Sequence, residues 1–170
     1  LTSDEHKKAF HEYFAVFPWG DLPANAVGLD YYISKSLDTF GNRDWGLGTR
    51  FTSANVFSFG VYNTSQTRFQ AEDTVGITTG SLVHLVGTYD GGTKGVVLYK
   101  NGSQVGTATL TGTVNASSSS TFNLGHNGST ISGANSVVDQ AGFWKGRVLS
   151  AGDVTALYNG GNGLSYAAMA

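Results

Sequence analysis

Apolar and polar positions alternate along this chain in short bursts, not in long stripes. Bursts of this kind predict strands over 14–17, 28–34, 45–51, 56–62, 67–71, 82–89, 96–100, 104–110, 121–124 and 137–144. Asp90-Gly91-Gly92, Asn101-Gly102 and Asn127-Gly128 lie between bursts, and Asn-Gly there signals a tight hairpin because both residues accept positive φ. In the strand from Val96 to Lys100, Val96 and Leu98 alternate with Val97 and Tyr99, so both faces are apolar and both should be covered. One helix is predicted near the end. Ser150 is its N-cap, Asp153 its third residue, Val154, Leu157 and Tyr158 one face, and Gly160-Gly161 its stop. Thr2-Ser3-Asp4-Glu5 carries a capping-box pattern, but no long apolar stripe follows it. The Ser117–Ser120 run reads as a loop between strands.

Composition supports this picture. Of 170 residues, 24 are Gly, 18 Thr, 17 Ser and 11 Asn, all middling or poor helix formers. Aromatic residues at 12% argue against disorder. The length suits one domain, taken as residues 1–170. Cysteine is absent, which excludes disulfides and thiol chemistry. With 10 Lys+Arg against 12 Asp+Glu there is no single-sign field for nucleic acid or an anionic membrane. No apolar run reaches the ~18 residues of a membrane span. The chain starts at Leu1 and is read as a processed or excised segment. Its Gly-, Ser-, Thr- and Asn-rich balance suits an extracellular or virion surface.

From Leu82 the motifs resemble those of laminin-G-like domains in the concanavalin A-like superfamily. Tyr89-Asp90-Gly91 ends one strand, and Leu98-Tyr99-Lys100-Asn101-Gly102 forms a hairpin. Leu124-Gly125, Val138-Asp139-Gln140, Phe143-Trp144, Arg147-Val148-Leu149-Ser150 and Leu157-Tyr158 follow in the family's order. Upstream, Ser34-Lys35 and Asn42–Trp45 look like its earlier strands. Leu82 stands where the family has Trp, only His84 remains of a usual His pair, and no first strand is obvious before Phe14. The resemblance implies an all-β jelly-roll sandwich of two antiparallel sheets with one short C-terminal helix. It further implies a non-catalytic adhesion or lectin-like module that recognises a glycan or a protein. The pattern from Gly142 to Gly161 resembles versions common in phage and environmental sequences, which implies the alternative of a decoration or tail-associated protein with neighbouring virion subunits as partners.

Candidate chemistry is sparse. Glycan hydrolases of that superfamily use E-x-D-x-x-E, and a carboxylate pair is what such chemistry needs. Only Glu5, Glu12 and Glu72 are present, and Glu72-Asp73 points opposite ways in an extended chain. G-x-S-x-G and H-E-x-x-H are absent, so no enzyme is expected. Trp19, beside Pro18 and Gly20, is the tryptophan placed for stacking on a sugar, while Trp45 and Trp144 align with strands and read as core. His126 and Asn127 form a loop that suits a ligand or a plain turn. The resemblance implies one Ca²⁺ at Asp139, which as a plainer role could accept backbone N–H bonds. No other cofactor is expected. Asn63, Asn101, Asn115 and Asn127 fit the glycosylation acceptor pattern, no more often than chance allows among so many Ser and Thr.

Overall fold

A computed structural model describes residues 11–17, 31–37, 41–50, 56–77, 83–117, 119–126, 128 and 137–163. Its strands are β1 (His11–Phe17), β2 (Tyr31–Ser36), β3 (Arg43–Arg50), β4 (Val56–Tyr62) and β5 (Arg68–Glu72). They continue with β6 (Val83–Asp90), β7 (Gly95–Lys100), β8 (Ser103–Thr109), β9 (Phe122–Leu124) and β10 (Val137–Trp144), followed by α1 (Ala151–Tyr158). Two five-stranded sheets result, ordered β10-β1-β6-β7-β8 and β5-β4-β3-β2-β9, with every described pair antiparallel. The all-β sandwich with one short helix is the expected architecture.

The period of two decides what each face does. Val83, Leu85 and Tyr89 of β6 and Val96 and Leu98 of β7 meet Ile33, Trp45, Leu47, Phe59 and Val61 from the second sheet. Each such side chain, fully buried, stabilises by about 1.5–3 kcal/mol. The alternate residues Val86, Val97 and Tyr99 turn outward and are covered by Leu149 and the α1 residues Val154 and Leu157. This is why β7 is apolar on both faces. Ser150 caps α1 through a reciprocal capping box with Asp153. Asn159, at φ 47°, takes the left-handed cap that the sequence assigned to Gly160-Gly161, and those glycines extend the turn at φ 62° and 96°.

Two findings differ from the sequence reading. The first strand exists, starts at His11, and lies inside the first sheet between β10 and β6. Chain pairing supplied it, since its own burst of apolar residues pointed only to 14–17. In the β6–β7 hairpin the positive φ falls on Lys94, at 59°, not on Gly91 or Gly92. Asp90 fixes that loop by accepting from Gly92 N at 2.8 Å and from the Thr93 hydroxyl at 2.9 Å. At Asn101-Gly102 both φ values are positive, 50° and 80°, as a type I′ turn requires. The Thr2–Glu5 pattern lies outside the described residues.

Candidate functional site

The outer faces of the two sheets are unlike. That of the first carries α1 on Val86 and Tyr99. On the second, the strand positions between core residues are small or polar: Ser34, Gly46, Gly60 and Gln70 form one row, paired across β2, β3, β4 and β5. A bulge between Tyr31 and Ile33 breaks the alternation of β2. Ile33 and Tyr32 join the core, and the Tyr31 ring lies on Gly46. Bulges re-aim side chains in this way next to functional sites.

Glycines form the floor of this face. A Cβ at Gly46 would stand 2.2 Å from the Tyr31 ring, and one at Gly60 would stand 2.1 Å from Arg68 Nε. The Arg68 guanidinium sits 5.9 Å from the Tyr31 ring centroid, and its Nη2 donates to Ser58 Oγ at 3.1 Å. Burial pushes the Tyr31 phenol above its ordinary pKa; Arg68 and Arg43 pull it back, and the Tyr62 hydroxyl bonds to it. Arg68 Nε and Gln70 Oε1 are buried without a hydrogen-bond partner. Arg68 is in none of the ion pairs among the described residues.

The rim is the loop after β9. Gly125 N donates to Tyr32 O at 2.7 Å and Ser34 Oγ to His126 O at 3.0 Å, which ties the loop to β2. The His126 side chain is exposed, and its Nδ1 accepts from Gly128 N at 2.9 Å. Of the other residues singled out from the sequence, Trp19 and Asn127 lie outside the described residues. Asp139 is placed by backbone register alone, opposite Ala15 of β1. Among the described residues no three His, Asp or Glu side chains gather as a metal group. Trp45 is core, at 1% exposure, and Trp144 is half-buried against the α1 cluster.

Several candidate groups serve the fold instead. Buried Asp73 takes a 2.6 Å bond from Lys100 across the sandwich and accepts from Val75 N at 3.0 Å, so it does not pair with Glu72. Buried Asp44 is neutralised by Lys35, and its other oxygen accepts from Asn115 Nδ2 at 3.0 Å and Ser117 N at 2.9 Å. That anchors the serine-rich loop. Asn115 Nδ2 also reaches the Arg43 carbonyl at 2.9 Å, and Asn63 bonds Thr111 O and Thr67 N at 3.1 and 2.9 Å. A glycan on either amide would break these bonds.

β9 and β10 are edge strands of their sheets, and aromatic rings bridge them. Phe143 stacks on Trp45 at 5.8 Å, and Phe122 meets both edge-on at 6.0 and 6.2 Å. Phe122, Leu124 and Phe143 remain 51%, 53% and 41% exposed.

Tyr31, Tyr62, Arg68 and Gln70 were missed from sequence. Their signal was present as polar alternation in Arg68-Phe69-Gln70-Ala71-Glu72 facing Ser58-Phe59-Gly60-Val61-Tyr62, but only register shows that the polar halves share a face.

Comparison with known proteins agrees with the fold. The heptameric SAP-like pentraxin from Limulus polyphemus superposes with TM-score 0.63 at 14% identity, over 89% of this chain and 71% of that one. Domain 4 of AbnA, an extracellular arabinanase from Geobacillus stearothermophilus solved with arabinotriose, gives 0.61 at 16% identity, over 88% and 66%. The Ruminococcus gnavus IT-sialidase CBM40 bound to α2,3 sialyllactose gives 0.60 at 14% identity, over 89% and 83%. At such identities the likeness is one of fold. No curated protein matches the chain in sequence. A laminin-G family model, described as the concanavalin A-like lectin/glucanases superfamily, matches residues 19–155, and the chain belongs to that family.

Proposed function

We propose that the chain is a non-catalytic binding module whose ligand is a glycan held on the outer face of the second sheet. One observation carries this reading. Arg68 Nε and Gln70 Oε1, a donor and an acceptor two residues apart on one face of β5, are buried without a protein partner. A buried polar group left unpaired costs about 1–3 kcal/mol, so two together call for a ligand or bound water. A sugar hydroxyl donates and accepts at once and serves both atoms. Arg68 is half-buried and held by one hydrogen bond, so a small movement of its side chain off Gly60 would free Nε for a ligand. The sugars bound to the arabinanase domain and the sialidase module are ligands of this class.

In this proposal His126 lines the rim, Trp19 and Asn127 add contacts, and the module works outside the cell or on a virion surface. Calcium at Asp139 is part of the same proposal; it needs six to eight oxygens, most of them from backbone carbonyls. A glycan array probed in millimolar Ca²⁺ and in chelator tests all of this. The expected result is binding to at least one glycan, weakened by Trp19→Ala. Failure to bind any glycan in either condition overturns the reading. A melting temperature and a binding profile unchanged by chelator remove calcium from it.

A second reading, a structural subunit of a virus particle, is favoured by the apolar edge at Phe122, Leu124 and Phe143. Exposed apolar clusters of this kind mark contacts with other proteins. Self-association that Phe122→Ser abolishes, with no glycan bound, would favour this alternative.

A further inference from the structure

We infer that the glycan taken by this face is an acidic one, whose carboxylate or sulfate group is held by Arg68. The inference rests on the glycan-binding reading above and adds the chemical class of the ligand.

The argument concerns where charge is balanced and where it is not. Near the second sheet, Lys35 answers Asp44, and Lys100 answers Asp73. Among the described residues Arg68 pairs with no carboxylate. Its described contacts are a neutral hydroxyl, Ser58 Oγ, and the face of an aromatic ring, Tyr31. Glu72 is the acidic residue of the same strand face, four positions along β5. At about 3.3 Å per residue their backbone positions are about 13 Å apart, and the two form no ion pair among the described residues. A half-buried guanidinium with no described counter-charge suits an anion, since partial burial weakens solvent screening and the planar fork matches a carboxylate or sulfate.

The surroundings hold the guanidinium in place. Gly46 and Gly60 leave room for the Tyr31 ring and the Arg68 side chain to lie flat on the sheet. The Tyr31 and Tyr62 side chains lie beside the guanidinium, with Tyr62 opposite Arg68 in the ladder. Gln70 Oε1, which accepts only, is left for a neighbouring hydroxyl of the same sugar. An acidic sugar combines the two requirements: one anionic group and one hydroxyl donor a bond or two away. A neutral glycan meets only the second, and a free anion only the first.

The test uses the full chain and immobilised glycans printed as matched sets: each neutral oligosaccharide beside its sialylated and its sulfated version. Wild type should bind members of the acidic sets, and raising NaCl from 50 to 500 mM should weaken that binding. Arg68→Gln should lower the acidic signal about tenfold or more, and Arg68→Lys should restore part of it, since the charge returns without the fork. Which acidic version binds distinguishes carboxylate from sulfate. Thermal melts of each variant separate loss of binding from loss of fold. Should Arg68→Gln fail to fold, Arg68→Lys and the salt titration of wild type still decide. Neutral and acidic glycans bound alike, with no salt effect, overturn this inference and leave the glycan reading standing. Acidic binding unchanged in Arg68→Gln overturns the role of Arg68. No binding to any glycan overturns both readings.

Discussion

His84 stands opposite Asn101, where His84 N donates to Asn101 Oδ1 at 3.0 Å and Asn101 N donates to His84 O at 2.8 Å. Its ring stacks on Tyr158 at 5.8 Å, and the residue is 5% exposed. Burial lowers its pKa from 6.5 to about 4. The folded state therefore keeps His84 neutral where the unfolded chain protonates it. Between pH 6.5 and about 4 the unfolded chain binds more protons, so stability falls as pH falls through that window. A shift of this size corresponds to about 3 kcal/mol lost by its lower end. Denaturant unfolding at pH 7 and pH 4 should show that loss in wild type and a smaller one in His84→Gln. An equal loss in both would assign the acid sensitivity to other groups. His84 was visible in the sequence as a family position, but its burial against Tyr158 was not, because the two residues are brought together by the docking of α1.

The Asn101-Gly102 turn and α1 form one unit. Thr155 Oγ1 donates to Gly102 O at 3.2 Å, and a Cβ at Gly102 would stand 3.0 Å from the Tyr158 ring. Replacing Asn101-Gly102 by Ala-Ala therefore strains two left-handed residues and crowds the helix. Gly102→Ala adds the left-handed cost of about 1–2 kcal/mol, and Asn101→Ala adds the loss of the Asn101 Oδ1 bond from His84 N, so the double variant should lose at least about 1–2 kcal/mol in equilibrium unfolding. A change within experimental error would rule out the type I′ geometry. Local chemistry made this turn legible: few residue pairs accept positive φ twice in succession, and the flanking apolar bursts say that two strands meet there. The capping box of α1 was legible for the same reason, since Ser150 and Asp153 satisfy backbone groups only three residues apart.

On the scale of the whole molecule, β1 is the element whose role was hardest to foresee. It is upstream of the matched family segment and pairs with both β10 and β6. Residues 11–17 complete the first sheet as an interior strand and not as an edge. Deleting residues 1–17 should then leave β10 and β6 without their shared neighbour. The expected outcome is loss of the cooperative thermal transition and of the β-type far-UV circular dichroism. A truncated chain that melts like wild type would mean that β1 is dispensable. The same scale carries the functional argument, because the polar outer face exists only once β2, β3, β4 and β5 are paired in register.

What the sequence by itself determined was local and periodic. Alternation marked the strands from β4 onward to within a residue or so, since a half-buried strand needs an apolar residue at every second position and little else. Turn residues marked where those strands stop. Motif order from Leu82 to Tyr158 identified the family and with it the sandwich. Tertiary structure decided what depends on pairing across distance: that β1 enters the first sheet, that a bulge lays the buried Tyr31 ring over Gly46, and that Lys35 and Lys100 answer Asp44 and Asp73. It also decided that Arg68 and Gln70 share one face above Gly60. None of these is written in a window of ten residues, because a strand's two faces are equivalent until its neighbours choose which one is buried.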